Sequence, residues 1–186
     1  MTFPSKARPQ CGIAVALLTR MAVVLLCGIL VTALPARADP LQDNADALES
    51  CIVTVWPRDV LTLCTGIISD PCQQAPGGET TRGMTQCLAA EADAWDTALN
   101  RQWPKLLTRA GEVDAANQQE GLALDSAAAT LRGAQRAWMV FRDAECRSNY
   151  ASWGAGSFRS VAYSACRLDL TARRLVDFHA RLVTGG

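Results

Sequence analysis

Beyond residue 80 the apolar positions return at helical spacing. Met84, Leu88, Glu91, Trp95, Ala98, Gln102 and Leu106 recur at steps of three and four, and Cys87 and Leu99 widen the stripe. That spacing predicts a long helix over about 81–110. Pro104 is expected to kink or break it, since proline removes a backbone donor and clashes one turn back. Gly111 and Gly121 predict a softer connection before the next helix, about 122–150, whose stripe is Leu124, Ala127, Leu131, Ala134, Trp138 and Phe141. A glycine-rich turn, SWGAGS (152–157), leads to a last helix over about 158–182, striped by Phe158, Val161, Ala165, Leu168, Ala172 and Leu175. Upstream, 43–56 predicts a first helix. PRDVLTLCTG (57–66) predicts a short second one with Pro57 in its first turn. SDPCQQAPGGET (69–80) predicts a loop. No stretch alternates apolar and polar residues long enough for a sheet. The fold class is all-α, and short connections between amphipathic helices give a small antiparallel bundle.

The first 38 residues read differently. Lys6, Arg8 and Arg20 precede the apolar run 21–34, and Ala36-Arg37-Ala38 offers small residues for cleavage. That is the layout of a secretory signal peptide cut between Ala38 and Asp39. The apolar run is short for a membrane span, which needs about 20 apolar residues. No integral membrane segment is expected after cleavage. Four of the 18 basic residues (Lys6, Arg8, Arg20, Arg37) and none of the 18 acidic ones lie in 1–38, which leaves 39–186 at a net charge of −4. An acidic surface does not suit nucleic acid, whose binders are basic; it suits a cationic protein partner.

Eight cysteines include Cys11 and Cys27 in the leader, so six remain: Cys51, Cys64, Cys72, Cys87, Cys146 and Cys166. In an exported chain an even set reads as about three disulfides. Six cysteines allow 15 connectivities. The positions fit local bridges, because Cys51 and Cys64 flank Pro57, Cys72 and Cys87 flank the PGG loop, and Cys146 and Cys166 flank the glycine turn. The other pairings stay open. Zinc is the competing use of cysteines, but there is no CxxC pair and only one histidine, so neither metal nor cofactor is expected.

Catalytic patterns are missing too. The single histidine, His179, stands on the last helix without a surrounding motif. There is no G-x-S-x-G, P-loop or dinucleotide fingerprint. Glycosidases use two carboxylates, and Asp93 and Asp96 share a helix face. Asp143 and Glu145 are two apart and do not face each other. Asp93 and Asp96 are expected to pair with Arg101 or Arg142 instead of acting on a substrate, so the chain is not expected to be an enzyme. A hydrolase built on Asp93 or Asp96 is the least favoured reading.

Three stretches carry a resemblance. TQCLAAEADAWDTALNRQW (85–103) has a Cys, acidic residues and then Asp-x-x-Leu-Asn; LRGAQRAWMVFRDAEC (131–146) has Gln-Arg-Ala-Trp followed by Arg-Asp-x-x-Cys; GSFRSVAYSACRLDLTARRL (156–175) closes with Leu-Thr-x-x-Arg after a Cys. With Cys72 upstream, the chain resembles the lysozyme inhibitor LprI-like family of exported bacterial proteins over about 72–180. The resemblance implies an all-helical, disulfide-bearing domain over 72–186, with 39–71 as an N-terminal helical extension that carries Cys51 and Cys64. It implies action by binding a protein, with lysozyme as partner, in the periplasm or outside the cell. The alternative reading is a cell-envelope structural or stress protein that holds another partner, peptidoglycan among the candidates. The matched residues Leu99, Asn100, Gln135, Arg136, Trp138, Arg142 and Asp143 are expected to build the bundle. In that scheme Leu131, Ala134, Trp138 and Phe141 bury, while the arginines line the flank. Partner contact is expected instead from loops 73–79 and 152–157, with Pro76 and Trp153 as anchors.

Overall fold

A computed structural model describes residues 40–184, and the expected leader over 1–38, with Cys11 and Cys27, lies outside them. Among the described residues there are six helices and no strand: α1 (Pro40–Val55), α2 (Val60–Cys64), α3 (Ser69–Gln74), α4 (Thr81–Gln119), α5 (Ala127–Ser152) and α6 (Arg159–Thr184). None is long and apolar enough to cross a membrane.

The long helices α4, α5 and α6 make the frame. Asp93 pairs with Arg167 at 2.8 Å, and Arg109 donates to the carbonyls of Arg181 and Leu182. α4 and α6 therefore run in the same direction. α5 runs against both: its end carries Cys146, bridged to Cys166, and its start lies at Asp114 of α4. The core follows the predicted α4 stripe. Trp95, Ala98 and Leu99 of α4 and Leu168, Ala172, Leu175 and Phe178 of α6 are buried together. Trp103 stacks on Phe178 at 5.7 Å. α1 adds Ala45, Leu48 and Ile52, at steps of three and four, to the same core.

Three helix starts, those of α2, α4 and α5, have a capping side-chain oxygen on an orphan amide. The Asp59 carboxylate accepts from Thr62 N–H, Thr80 Oγ1 from Gly83 N–H and Ser126 Oγ from Ala129 N–H. Asp114 reinforces the start of α5. It accepts from Ser126 Oγ at 2.7 Å and from the N–H groups of Ala127 and Ala128, with the Ser126 bond the leading cause that holds its carboxyl below the usual range.

Several expectations need correction. α4 continues through Pro104 and Gly111 to Gln119 instead of breaking near 104. Pro104 is exposed, and the buried Gln102 and Leu106 on either side hold the helix on its course. α5 begins at Ala127, not 122, and Leu124 is 64% exposed ahead of it. Phe141 is 53% exposed, and Ala134 is exposed as well. The residues of α5 that bury are Ala128, Gln135 and Cys146, with Leu131 and Trp138 partly covered. The Arg142–Asp96 ion pair and the Cys146–Cys166 bridge set the rotation of α5, and that rotation turns Phe141 outward. On α6, Ser164 is buried where Ala165 was expected, and Phe158 lies exposed just ahead of the helix. The stretch 69–80 contains the helix α3, and α2 starts at Val60, behind its Asp59 cap.

Candidate functional site

Among the described residues three disulfides join Cys51 to Cys64, Cys72 to Cys87 and Cys146 to Cys166, with Cα–Cα distances of 5.9, 5.6 and 5.4 Å. Each closes a short segment, of 13, 15 and 20 residues of separation. On the chain-entropy account such a bridge stabilises by about 3 kcal/mol.

Because α4 and α6 are parallel, the 75–80 loop before α4 and the 153–158 turn before α6 emerge at one end of the bundle. A cleft there is lined by Thr81, Arg82, Thr85 and Gln86 of α4 and by Ser157 and Ser160. The two loops chosen from the sequence are thus neighbours. The first is pressed flat on its helix. A Cβ on Gly83 would lie 2.1 Å from the Gly77 carbonyl, and one on Gly78 would lie 2.2 Å from that of Cys72. Only glycines allow this approach. Pro76 is exposed at the outer edge of this loop.

The second loop carries the aromatic surface. Trp153 caps the end of α5 and is 49% exposed, although its ring packs on Phe158 at 4.8 Å. Arg159 lies over the Tyr150 ring at 5.1 Å, and its guanidinium also reaches the Gly154 carbonyl. Tyr150 and Phe158 are themselves exposed. Trp153 therefore both packs and presents surface. The partners Tyr150, Phe158 and Arg159 were missed in the sequence. The available signal was three aromatics bracketing one glycine turn.

The signature residues lie away from this tip. Leu99 is buried, and Asn100 donates to Asp96 at 2.9 Å. Gln135 is 8% exposed and its Oε1 accepts from Arg174 Nε. Trp138 has Arg142 over its ring at 5.1 Å and Arg174 at 5.6 Å. Arg142 also pairs with Asp96 and Asp143, each at 3.1 Å. Leu99, Gln135, Trp138 and Arg142 are thus built into the joints between helices, while Asn100 and Asp143 bond within their own helices. Asn100 and Arg136 are exposed, and Arg136, among the described residues, makes no ion pair or hydrogen bond.

The acidic pair weighed for hydrolysis is engaged elsewhere: Asp93 with Arg167 and Asp96 with Arg142, each across a helix interface. His179 packs edge-on against Trp56 at 4.9 Å, and burial pushes its pKa down. No group of three or more His, Cys, Asp or Glu that could hold a metal ion occurs among the described residues.

Glu91 is the polar residue whose role went unread. It lies in the middle of the α4 stripe, fully buried. Its carboxylate accepts from the N–H groups of Gly66, Ile68 and Ser69, at 2.7, 3.3 and 2.7 Å, and from Trp95 Nε1 at 3.2 Å. A charged residue at the centre of an apolar stripe was the signal. What it holds, the start of α3, carries no pattern of its own.

Comparison with known proteins adds one match. The family described as "Lysozyme inhibitor LprI" matches residues 72–178. No curated protein and no solved structure matches the chain. The matched stretch holds all seven signature positions, two of the three disulfides and both tip loops, and it covers more than half of the chain. The chain belongs to the lysozyme inhibitor LprI family.

Proposed function

We propose that this protein is an exported inhibitor of a lysozyme that acts by binding, in the periplasm or outside the cell, and that the tip carrying Trp153 and Pro76 is its contact surface. Family membership supports the partner class, and the disulfides support export to an oxidising compartment. The observation that carries the choice of surface is Trp153. A tryptophan half exposed on a turn closed by the Cys146–Cys166 bridge offers apolar area with little ordering cost on binding. The neighbouring 75–80 loop, held by Cys72–Cys87, gives a second rigid contact. The net charge of −4 beyond residue 38 steers the domain toward a cationic enzyme.

The test is lysis of bacterial cell walls by lysozyme at increasing molar ratios of the purified protein. Inhibition is expected to saturate near stoichiometry. Trp153→Ala is expected to weaken it about 30-fold, the effect of a 2 kcal/mol anchor, with little change in thermal stability. Undiminished lysis at high molar excess sinks the function. Full inhibition by Trp153→Ala sinks only the choice of surface.

A further inference from the structure

We propose that the cleft between α4 and α5 binds an acidic sugar, a hexose ring that bears a carboxylate. The cleft has a volume of about 340 Å³ and is lined by Asn100, Trp103, Arg132, Gln135, Arg136 and Met139. That is the lower range of small-ligand sites.

Charge is the first argument. There is no Asp or Glu in 97–111 of α4 or in 126–142 of α5, the segments that form the cleft walls, although the chain beyond residue 38 is acidic overall. Arg132 and Arg136 lie four apart on α5, where like charges repel and oppose the helix. Six other arginines are neutralised by ion pairs, among them Arg101 with Asp46, Arg142 with Asp96, Arg167 with Asp93, Arg173 with Asp169, and Arg174 with Asp177. Arg132 and Arg136 have no such ion pair among the described residues, although the charge of Arg132 helps to lower the Asp114 carboxyl. Two exposed guanidinium forks on one cleft make a carboxylate site.

The other lining groups choose the rest of the ligand. Asn100 spends its amide nitrogen on Asp96 and Gln135 spends its carbonyl on Arg174, which leaves one acceptor and one donor toward the cleft. Hydroxyl and acetamido groups take both. The uncovered part of Trp103, whose other side is stacked on Phe178, and the half-exposed Met139 supply the apolar wall that a sugar face covers. A bare phosphate would use the arginines and leave this wall and both amides idle.

The probe is N-acetylmuramic acid, titrated into the full exported protein and followed by amide and indole chemical shifts. N-acetylglucosamine, the same ring without the carboxyl-bearing ether, and inorganic phosphate are the controls. Shifts are expected at Asn100, the Trp103 indole, Gln135 and Met139. Both controls are expected to bind at least tenfold more weakly. Arg132→Gln with Arg136→Gln is expected to lose at least tenfold, while Arg136→Lys, which keeps the charge but not the fork, loses less. Both arginines are exposed, so an unchanged circular dichroism spectrum verifies that the variants fold. Equal binding of either control, retained binding by the double glutamine variant, or no shifts at the cleft would overturn the proposal. No lysozyme enters this experiment, so its outcome is separate from that of the inhibition assay.

Discussion

Glu91→Gln is the most informative single change in this fold. The substitution keeps the size of the side chain and replaces one oxygen by an NH2 group. Around Glu91 every neighbour is a donor: three backbone N–H groups and the Trp95 indole. Whichever way the new amide turns, its nitrogen faces donors. If it takes the place of Oε2, the N–H groups of Ile68 and Ser69 lose their acceptor; if it takes the place of Oε1, those of Gly66 and Trp95 do. A buried donor left unsatisfied costs roughly 1–3 kcal/mol. With two orphaned, one of them at the longer 3.3 or 3.2 Å, the expected loss is about 3 kcal/mol.

For a domain of this size that loss lowers the unfolding midpoint by about 10 °C, read by circular dichroism with the disulfides intact. The loss should also be local. Cys64 and Cys72 lie in bridges on either side of the 66–69 segment, so the frame persists while the segment loosens. Hydrogen exchange at Gly66 and Ser69 is expected to speed up about 100-fold, the equivalent of the same 3 kcal/mol. An unfolding midpoint within about 2 °C of the native protein, with unchanged protection at those two amides, would refute the claim that Glu91 organises the start of α3. Asp93→Asn, an exposed carboxylate on the same helix, is the control and should move the midpoint by little.

Three further outcomes follow from the geometry. Replacing Cys146 and Cys166 together by serine removes a bridge of 20 residues' separation and should cost about 3 kcal/mol, checked by denaturant unfolding of the double variant. Gly83→Ala drives a Cβ to 2.1 Å from the Gly77 carbonyl and should cost about 1–3 kcal/mol by thermal unfolding, whereas Gly133→Ala meets nothing within 4 Å and should be neutral to slightly stabilising. Burial lowers the His179 pKa in the folded protein below its ordinary 6.5, so the unfolded chain binds the proton more readily; stability should therefore fall as the pH drops from 7 through 6.5 toward the folded value, and His179→Gln should flatten that slope in pH-dependent unfolding.

The frame was legible in the sequence because helical periodicity and local cysteine spacing are short-range signals. The stripe from Cys87 to Leu106 is buried as read except for the partly covered Leu88, and the three bridges close the segments that the cysteines flank. The errors arise where a distant contact overrides a local preference. Pro104 and Gly111 are unfavourable inside a helix, yet each costs only a fixed local amount. Packing of Leu106 and the hold of Arg109 on the last turn of α6 keep α4 running through both. Phe141 was expected inside because it fits the periodic stripe of α5. A stripe fixes spacing but not which edge of it meets the partner helix. That choice is made by Arg142 on Asp96 and Cys146 on Cys166, contacts at sequence separations of 46 and 20. The proposed tip rests on a local signal, its glycine turn, whereas the proposed cleft has none, since Arg132 and Asn100 meet only after α4 and α5 pack.

Both proposed surfaces ride on α5, and the way α5 is held separates them. Its start is fixed by Asp114 on Ser126, Ala127 and Ala128. Its middle is clamped by Trp138 between Arg142 and Arg174, with Gln135 bonded to Arg174. Its end is tied by the Cys146–Cys166 bridge. A helix held at three levels has no second packing to switch into, and coupling between two sites requires an element with two arrangements. The cleft at Arg136 and the tip at Trp153 should therefore bind independently. A sugar in the cleft would leave the tip free for a protein, so one molecule could stay on the cell wall and meet a lysozyme there. The same clamp explains why Arg136 stands apart from the rest of its motif. Gln135, Trp138, Arg142 and Asp143 are bonded to neighbours around α5, whereas Arg136 makes no ion pair or hydrogen bond among the described residues and keeps its whole guanidinium for a ligand in the cleft it shares with Asn100 and Gln135.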